Sequence, residues 1–367
     1  MSIALISITS LALLSTMLWA FLQQPQFGKA PRGERLELIR KSPHYGGGVF
    51  QNQSPTPAIA EGVSFFTVLK EFLFKKSKRL TPSVILPSQK ANLMKLNPNE
   101  DILVWFGHSS YFLQLDGKKI LIDPVLSGNA SPLSFTTKSF RGADIYTPDE
   151  IPDIDYLLIS HDHYDHLDYK TISALRKRVK KVITGIGVGA HLEHWGYDKN
   201  QIIEKDWNEE VILEDGFIVN TAPARHFSGR GFKRNGTLWL SFILRAPTRK
   251  IFIGGDSGYD HHFAAIGKQF GPFDLVILEN GQYDKNWKYI HMMPEETIQA
   301  AIDLKAEILF PVHWSKFALS VHAWDDPIIR AVKESKIRDM PIMHPMIGEA
   351  VNLKDKAPSY AWWEQLS

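Results

Sequence analysis

Ser160-His161-Asp162-His163-Tyr164-Asp165-His166-Leu167-Asp168 is the stretch on which the reading of this chain turns. Directly before it runs Ile154-Asp155-Tyr156-Leu157-Leu158-Ile159, short and apolar enough for a buried strand. After it, residues 169–181 read as a helix with Ile172, Leu175 and Val179 on its apolar side. Three imidazoles and a carboxylate therefore sit on a loop at the end of a strand. Helical zinc motifs need two histidines four residues apart, and this spacing does not fit them. On extended backbone, His161 and His163 instead point the same way, because side chains alternate. Asp165 and His166 follow as the chain turns, and face a second position beside the first. Nitrogen and oxygen donors in that arrangement suit a pair of divalent metals. The plain alternative is a polar loop that is merely rich in histidine, and ligands arriving from elsewhere in the chain decide between the two.

Three such ligands follow strands. Residues 217–221 lead through Ala222-Pro223-Ala224-Arg225 to His226. Lys250-Ile251-Phe252-Ile253-Gly254-Gly255 leads to Asp256, and Glu307-Ile308-Leu309-Phe310-Pro311-Val312 leads to His313. One His or Asp after a strand is usually structural. Three of them, added to the loop, make seven donors converging on one edge of a sheet structure, enough for two metals with positions left for water.

Composition narrows the classes. At 367 residues with 44% hydrophobic content, a large core is easily built. A formal net charge of +2 gives no electrostatic case for nucleic acid as partner. With 0 Cys, disulfides, thiolate zinc sites and cysteine nucleophiles are excluded, so any metal is held by the 14 His and the carboxylates.

Residues 1–30 carry no charge before Lys29, and IALISITSLALLSTMLWAFL at 3–22 is long enough to span a bilayer. The flanking cations Lys29, Arg32, Arg35, Arg40 and Lys41 all follow the run. The expectation is an uncleaved membrane anchor with the rest of the chain on the cytoplasmic side. A cleaved signal, with a periplasmic or exported domain, is the alternative. Residues 31–100 form an irregular lead-in. Within it, residues 63–76 place Phe65, Phe66, Leu69, Phe72 and Leu73 at helical spacing, ahead of Lys75, Lys76, Lys78 and Arg79. This stripe is expected to pack on the main domain with its lysines solvated; the alternative is an anionic membrane surface. From Asp101 to the end the chain turns to strands, with Asp116-Gly117 as a hairpin turn. Domain boundaries are thus expected at 1–30, 31–100 and 101–367.

The order His161-x-His163-x-Asp165-His166, His226, Asp256, His313 resembles the metallo-β-lactamase superfamily. Residues 159–169, Gly254-Gly255-Asp256-Ser257-Gly258-Tyr259, Phe270-Gly271-Pro272-Phe273-Asp274-Leu275 and Val312-His313-Trp314 are similar to its N-acylphosphatidylethanolamine-hydrolysing phospholipase D branch. His291-Met292-Met293-Pro294-Glu295-Glu296 matches too, with Met where a more polar residue is expected. The resemblance implies an α/β fold, an αββα sandwich, preceded here by the transmembrane helix and lead-in. It also implies two Zn2+ (other divalent metals being possible), one on His161, His163 and His226, the other on Asp165, His166 and His313. Asp256 would bridge them. Asp123 would orient a ligand histidine, and His108 and His291 would donate to substrate oxygens. The implied activity is hydrolysis of a phospholipid phosphodiester, with phospholipid and membrane as partners and no nucleic acid. A lactonase or phosphoesterase acting on a soluble substrate is the first alternative, and a catalytically silent membrane-bound binding module the second.

Overall fold

In a computed structural model, the chain is described over residues 3–355 and 358–366, with side chains from residue 7 onward. Three helices precede the two large sheets, α1 (Ile3–Leu22), α2 (Glu34–Lys41) and α3 (Phe65–Phe74), with a short two-stranded ribbon, Tyr45–Gly46 against Val49–Phe50, between α2 and α3. The transmembrane anchor expected in residues 1–30 is not supported. Among the described residues no helix is long and apolar enough to cross a membrane. The side chains of residues 3–6, at the start of that apolar run, lie outside the described part. The stripe in α3 does form a helix, started by Ser64, whose Oγ accepts from Thr67 N at 3.1 Å. The expected packing of that stripe on the main domain is corrected: no residue of α3 is buried, and Phe66 and Phe74 are 79% and 78% exposed.

The first sheet holds β1 (Ile102–Trp105), β2 (Tyr111–Leu115), β3 (Lys118–Ile122), β4 (Ile154–Ile159), β5 (Val179–Gly185) and β6 (Ile202–Lys205). The second holds β7 (Glu210–Ile212), β8 (Ile218–Ala222), β9 (Ser241–Arg245), β10 (Lys250–Ile253), β11 (Leu275–Glu279) and β12 (Leu309–Val312). A last strand, β13 (Ala350–Asn352), joins the first sheet beside β1. The orders are β13-β1-β2-β3-β4-β5-β6 and β12-β11-β10-β9-β8-β7. Each sheet is antiparallel at one side and parallel at the other, with β3 to β6 parallel in the first and β10 to β12 in the second.

Alternation along the strands builds the layers. Leu103 and Trp105 face a core shared with Leu244, Ile251, Ile277 and Phe310 of the other sheet. Ile102 and Val104 face outward, onto Ile172 and Leu175 of α4 (Tyr169–Leu175) and Leu192 of α5 (Gly189–His194). Across the second sheet lie α6 (His262–Gln269), α7 (Pro294–Asp303) and α8 (Asp326–Arg338), which cover Ile243, Phe252 and Val276 with Phe263, Ile298 and Ala331. Helix, sheet, sheet, helix is the order of layers. Both strand faces are buried, which is why the strands read as continuous apolar runs.

The hairpin at Asp116-Gly117 forms with Leu115 opposite Lys118; both turn residues have positive φ, 45° and 78°, the form whose twist suits a two-residue hairpin. The helix expected over 169–181 is shorter. It ends at Leu175, passes through a 3-10 turn at Arg176–Arg178, and Val179 already pairs with Ile154 in the sheet. Val179 fits the helical period, but its place beside β4 wins, since strand pairing buries it equally well.

Candidate metal centre

The site lies where the ends of β3, β4, β8, β10, β11 and β12 meet. Asp123, His226, Asp256 and His313 follow β3, β8, β10 and β12 by one to four residues, the loop after β4 carries His161, His163, Asp165 and His166 two to seven residues on, and Glu279 is the last residue of β11. That placement requires sharp turns: His108, Asp123 and His313 all have positive φ, at 54°, 40° and 69°. Left-handed backbone is costly for non-glycine residues and persists only where the surroundings hold it. Gly255 (φ 60°) allows a close approach, since a Cβ there would lie 2.8 Å from Ser160 Cβ.

His161, His163, His226 and Asp256 bring one donor atom each within 4.8 Å of one another, and so do His108, Asp165, His166 and His313. Asp256 lies between these clusters. Its Oδ2 is 3.2 Å from His166 Nε2, 3.7 Å from His226 Nε2 and 3.8 Å from His161 Nε2, while Oδ1 is 3.1 Å from His313 Nδ1. All these residues are buried except His163, which is half-buried.

Partners behind the site fix which atom each imidazole offers. His166 Nδ1 donates to Asp123 Oδ2 at 2.8 Å, leaving Nε2 to the site. Asp123 also accepts from Ser160 N at 2.8 Å and Ser160 Oγ at 2.6 Å. His226 Nδ1 donates to Ile290 O at 2.8 Å. Ser160 Oγ stands 2.9 Å from His161 Nδ1, and Ser109 Oγ 2.9 Å from His313 Nδ1.

Divalent cations fit these residues. His166 Nε2, Asp256 Oδ1 and His313 Nε2 are buried without a hydrogen-bond partner, an expense that folded proteins rarely leave uncompensated. His161 Nε2 stands 2.9 Å from His163 Nδ1, which stands 3.3 Å from His226 Nε2. Three such nitrogens repel one another unless they share a cation, and tetrahedral zinc ligands at about 2.0–2.1 Å have roughly this separation. Burial holds His161, His226 and His313 well below the ordinary histidine pKa, and His163 at about 4, so all four are neutral, the ligating form. Burial pushes Asp256 up to about 6, opposed by the neighbouring His166. Burial also opposes charge on His166, but Asp256, Asp165 and Asp123 outweigh it and hold this one imidazole well above the usual range.

His108 and His291 differ in what they touch. His108 is fully buried and donates from Nε2 to Asp165 Oδ2 at 2.9 Å, so it steadies Asp165 rather than facing outward. His291 donates from Nδ1 to Glu279 Oε2 at 2.6 Å, and its ring lies 5.0 Å from His226 and 5.2 Å from His313. Sequence reasoning passed over Glu279. It closes an apolar strand, Leu275-Val276-Ile277-Leu278, in the same pattern that singled out His226, Asp256 and His313, and that signal was available. It also passed over the pair behind the loop. Asp162 accepts from His191 Nε2 at 3.2 Å, Gly229 N at 2.6 Å and Thr237 Oγ1 at 2.9 Å. Arg230, itself buried, ties the loop to the segment just after α1 by donating to Asp162 O, Leu167 O and Gln26 O.

Residues 118–314 match the family model described as a beta-lactamase superfamily domain. An uncharacterised protein of Mycobacterium tuberculosis is 34% identical over 330 residues, 89% of this chain and 88% of the relative. A protein of Caenorhabditis elegans named N-acyl-phosphatidylethanolamine-hydrolyzing phospholipase D 1 is 30% identical over 277 residues, 67% of this chain and 76% of that one. Among solved structures, the metallo hydrolase Igni18 of Ignicoccus hospitalis superposes with a TM-score of 0.54 over 69% of this chain and 98% of its own, at 22% identity, a likeness of fold.

Proposed function

This chain belongs to the beta-lactamase superfamily, as a metallo-hydrolase with relatives named for N-acylphosphatidylethanolamine hydrolysis, and from that premise we propose that it is a two-zinc phosphodiesterase acting on N-acylphosphatidylethanolamine or a closely related phospholipid. The observation that carries the hydrolytic reading is the position of Asp256 between two clusters of buried nitrogen and oxygen donors. His161, His163 and His226 would hold one ion and Asp165, His166 and His313 the other, with the Asp256 carboxylate available to both. Bound there, such a pair would supply a water of lowered pKa and stabilise charge on the attacking and departing oxygens.

The chain's own residues do the rest. Asp123 and Ser160 fix His166 so that Nε2 alone faces inward. His108 holds one oxygen of Asp165, leaving the other for a ligand position. His291, oriented by Glu279, presents Nε2 toward a phosphate oxygen or the departing alkoxide. The water oxygen joins phosphorus, the bond from phosphorus to the ethanolamine oxygen breaks, and that oxygen takes up a proton. The products are phosphatidic acid and an N-acylethanolamine. The choice of phosphorus over a carboxyl ester rests on the relative's name.

Hydrolysis in heavy-oxygen water tests this reading. With N-acylphosphatidylethanolamine, the label is expected in phosphatidic acid. Label in a free fatty acid would mean ester chemistry, and turnover confined to lactones or water-soluble phosphoesters would replace the substrate assignment while leaving the two-metal centre in place.

A further inference from the structure

We propose that α3 is a membrane-contact helix that lies on an anionic phospholipid surface. Its side chains divide the way such a helix requires. Phe65, Phe66, Leu69, Phe72, Leu73 and Phe74 are all exposed, and the helix turns only half-buried Val68 and Glu71 toward the protein. Exposed apolar side chains clustered on one short helix of a folded chain mark a contact surface.

Charge decides the occupant. Lys70, Lys76 and Lys78 are exposed and have no carboxylate partner among the described residues. Lys75 pairs with Glu71 at 2.7 Å, and Lys76 extends over the Phe72 ring with its ammonium 4.6 Å from the centroid. The cores of protein–protein interfaces are depleted of lysine, which is costly to desolvate there. At a bilayer the same lysines reach the headgroups while their stems and the phenyl rings enter the acyl boundary. Each cation near an anionic leaflet adds to the attraction.

Position gives the contact a consequence. Glu71 accepts from Asn286 Nδ2 at 2.7 Å, Ala60 N donates to Asn286 O at 2.7 Å, and Tyr289 donates to Glu61 at 2.8 Å. Ile290 O receives His226, and His291 follows. One loop, residues 284–291, therefore has α3 and its lead-in fastened to one side and the metal-facing histidines to the other. A helix lying on the bilayer sets that loop beside the headgroups. The inference stands on surface chemistry and not on which bond is cut.

The absence of native cysteine allows a direct test on the full chain. A polarity-sensitive fluorophore is attached through Phe66→Cys, and separately through Ile212→Cys at the exposed end of β7. With vesicles of phosphatidylcholine and phosphatidylglycerol, the label at 66 is expected to shift to the blue and to be quenched by brominated acyl chains. The label at 212 is expected to stay in water. Lys70→Glu/Lys76→Glu/Lys78→Glu should weaken vesicle affinity several-fold and remove its salt dependence. A label at 66 that remains aqueous while the chain sediments with vesicles would assign the contact to another element and overturn the proposal. So would a blue shift that grows with protein concentration without vesicles, which would mean self-association, or an equal shift with phosphatidylcholine alone. None of these readouts depends on turnover, so a different substrate would leave the result standing.

Discussion

Asp123 and His166, 43 residues apart, are joined by a 2.8 Å hydrogen bond from His166 Nδ1 to Asp123 Oδ2, and the same carboxylate accepts both the amide and the hydroxyl of Ser160. One buried side chain thus sets the imidazole tautomer and the start of the histidine loop. Asp123→Asn keeps the shape but presents an amide to a donor. Metal affinity is expected to fall about 10–100-fold, the usual effect of losing such a partner. A competition titration with a chelator reads it, and unchanged affinity would reduce Asp123 to a turn residue.

Glu279 and His291 give a different signature. Neither is among the seven ligands, so His291→Ala should retain both ions while turnover falls about 10²–10⁴-fold, the range for losing a positioned proton donor or acceptor. Glu279→Ala should lower kcat with little change in KM, and Glu279→Gln, which still accepts from His291, should recover part of it. Loss of metal in His291→Ala would move this histidine into the ligand set.

Arg230 tests how the segment after α1 supports the centre. Its guanidinium is buried and donates to three carbonyls, Gln26 O, Asp162 O and Leu167 O. Arg230→Ala strands those acceptors, at about 1–3 kcal/mol for each buried group left unpaired. Denaturant unfolding should show a loss of a few kcal/mol, and hydrogen exchange should rise in residues 161–168. Faster exchange elsewhere but not there would separate Arg230 from the metal loop.

Acid should destabilise the fold through histidines outside the centre. Burial lowers His262 to about 3 and His344 to about 4 from an ordinary 6.5. As pH falls below 6.5 the unfolded chain takes up these protons first, so their contribution is fully present above that pH. It is lost on the way down to the folded values, by up to about 1.4 kcal/mol per pH unit for each group. Between pH 6.5 and 4.5, a His262→Gln/His344→Gln variant should lose less stability than the parent. Parallel losses would place both rings in solvent or in a charged state.

Much of this was legible in the sequence, for physical reasons particular to each element. Strands buried on both faces advertise themselves as apolar runs, and a donor placed just past such a run, as with His226, Asp256 and His313, announces an edge where donors meet. What lay hidden depends on contacts across the chain. Val179 satisfies a helical period and a strand pairing alike, and only the neighbour Ile154 decides. The α3 stripe has the spacing of a buried helix face, and nothing local says that no surface is there to cover it. His108 reads locally as a substrate donor, and only Asp165, 57 residues away, shows where its Nε2 is held. Arg230 and Gln26 lie 204 residues apart, and no motif joins them.

The metal content of the purified chain tests the centre most directly. Elemental analysis after dialysis should give close to two zinc-equivalent ions per chain, and removal with a chelator should abolish hydrolysis until both are restored. Asp256→Ala should lose bound metal and activity together, because its carboxylate serves both clusters. A chain that binds one ion tightly and is fully active with it, or an Asp256→Ala variant that keeps two ions and wild-type turnover, would contradict the bridged two-ion account.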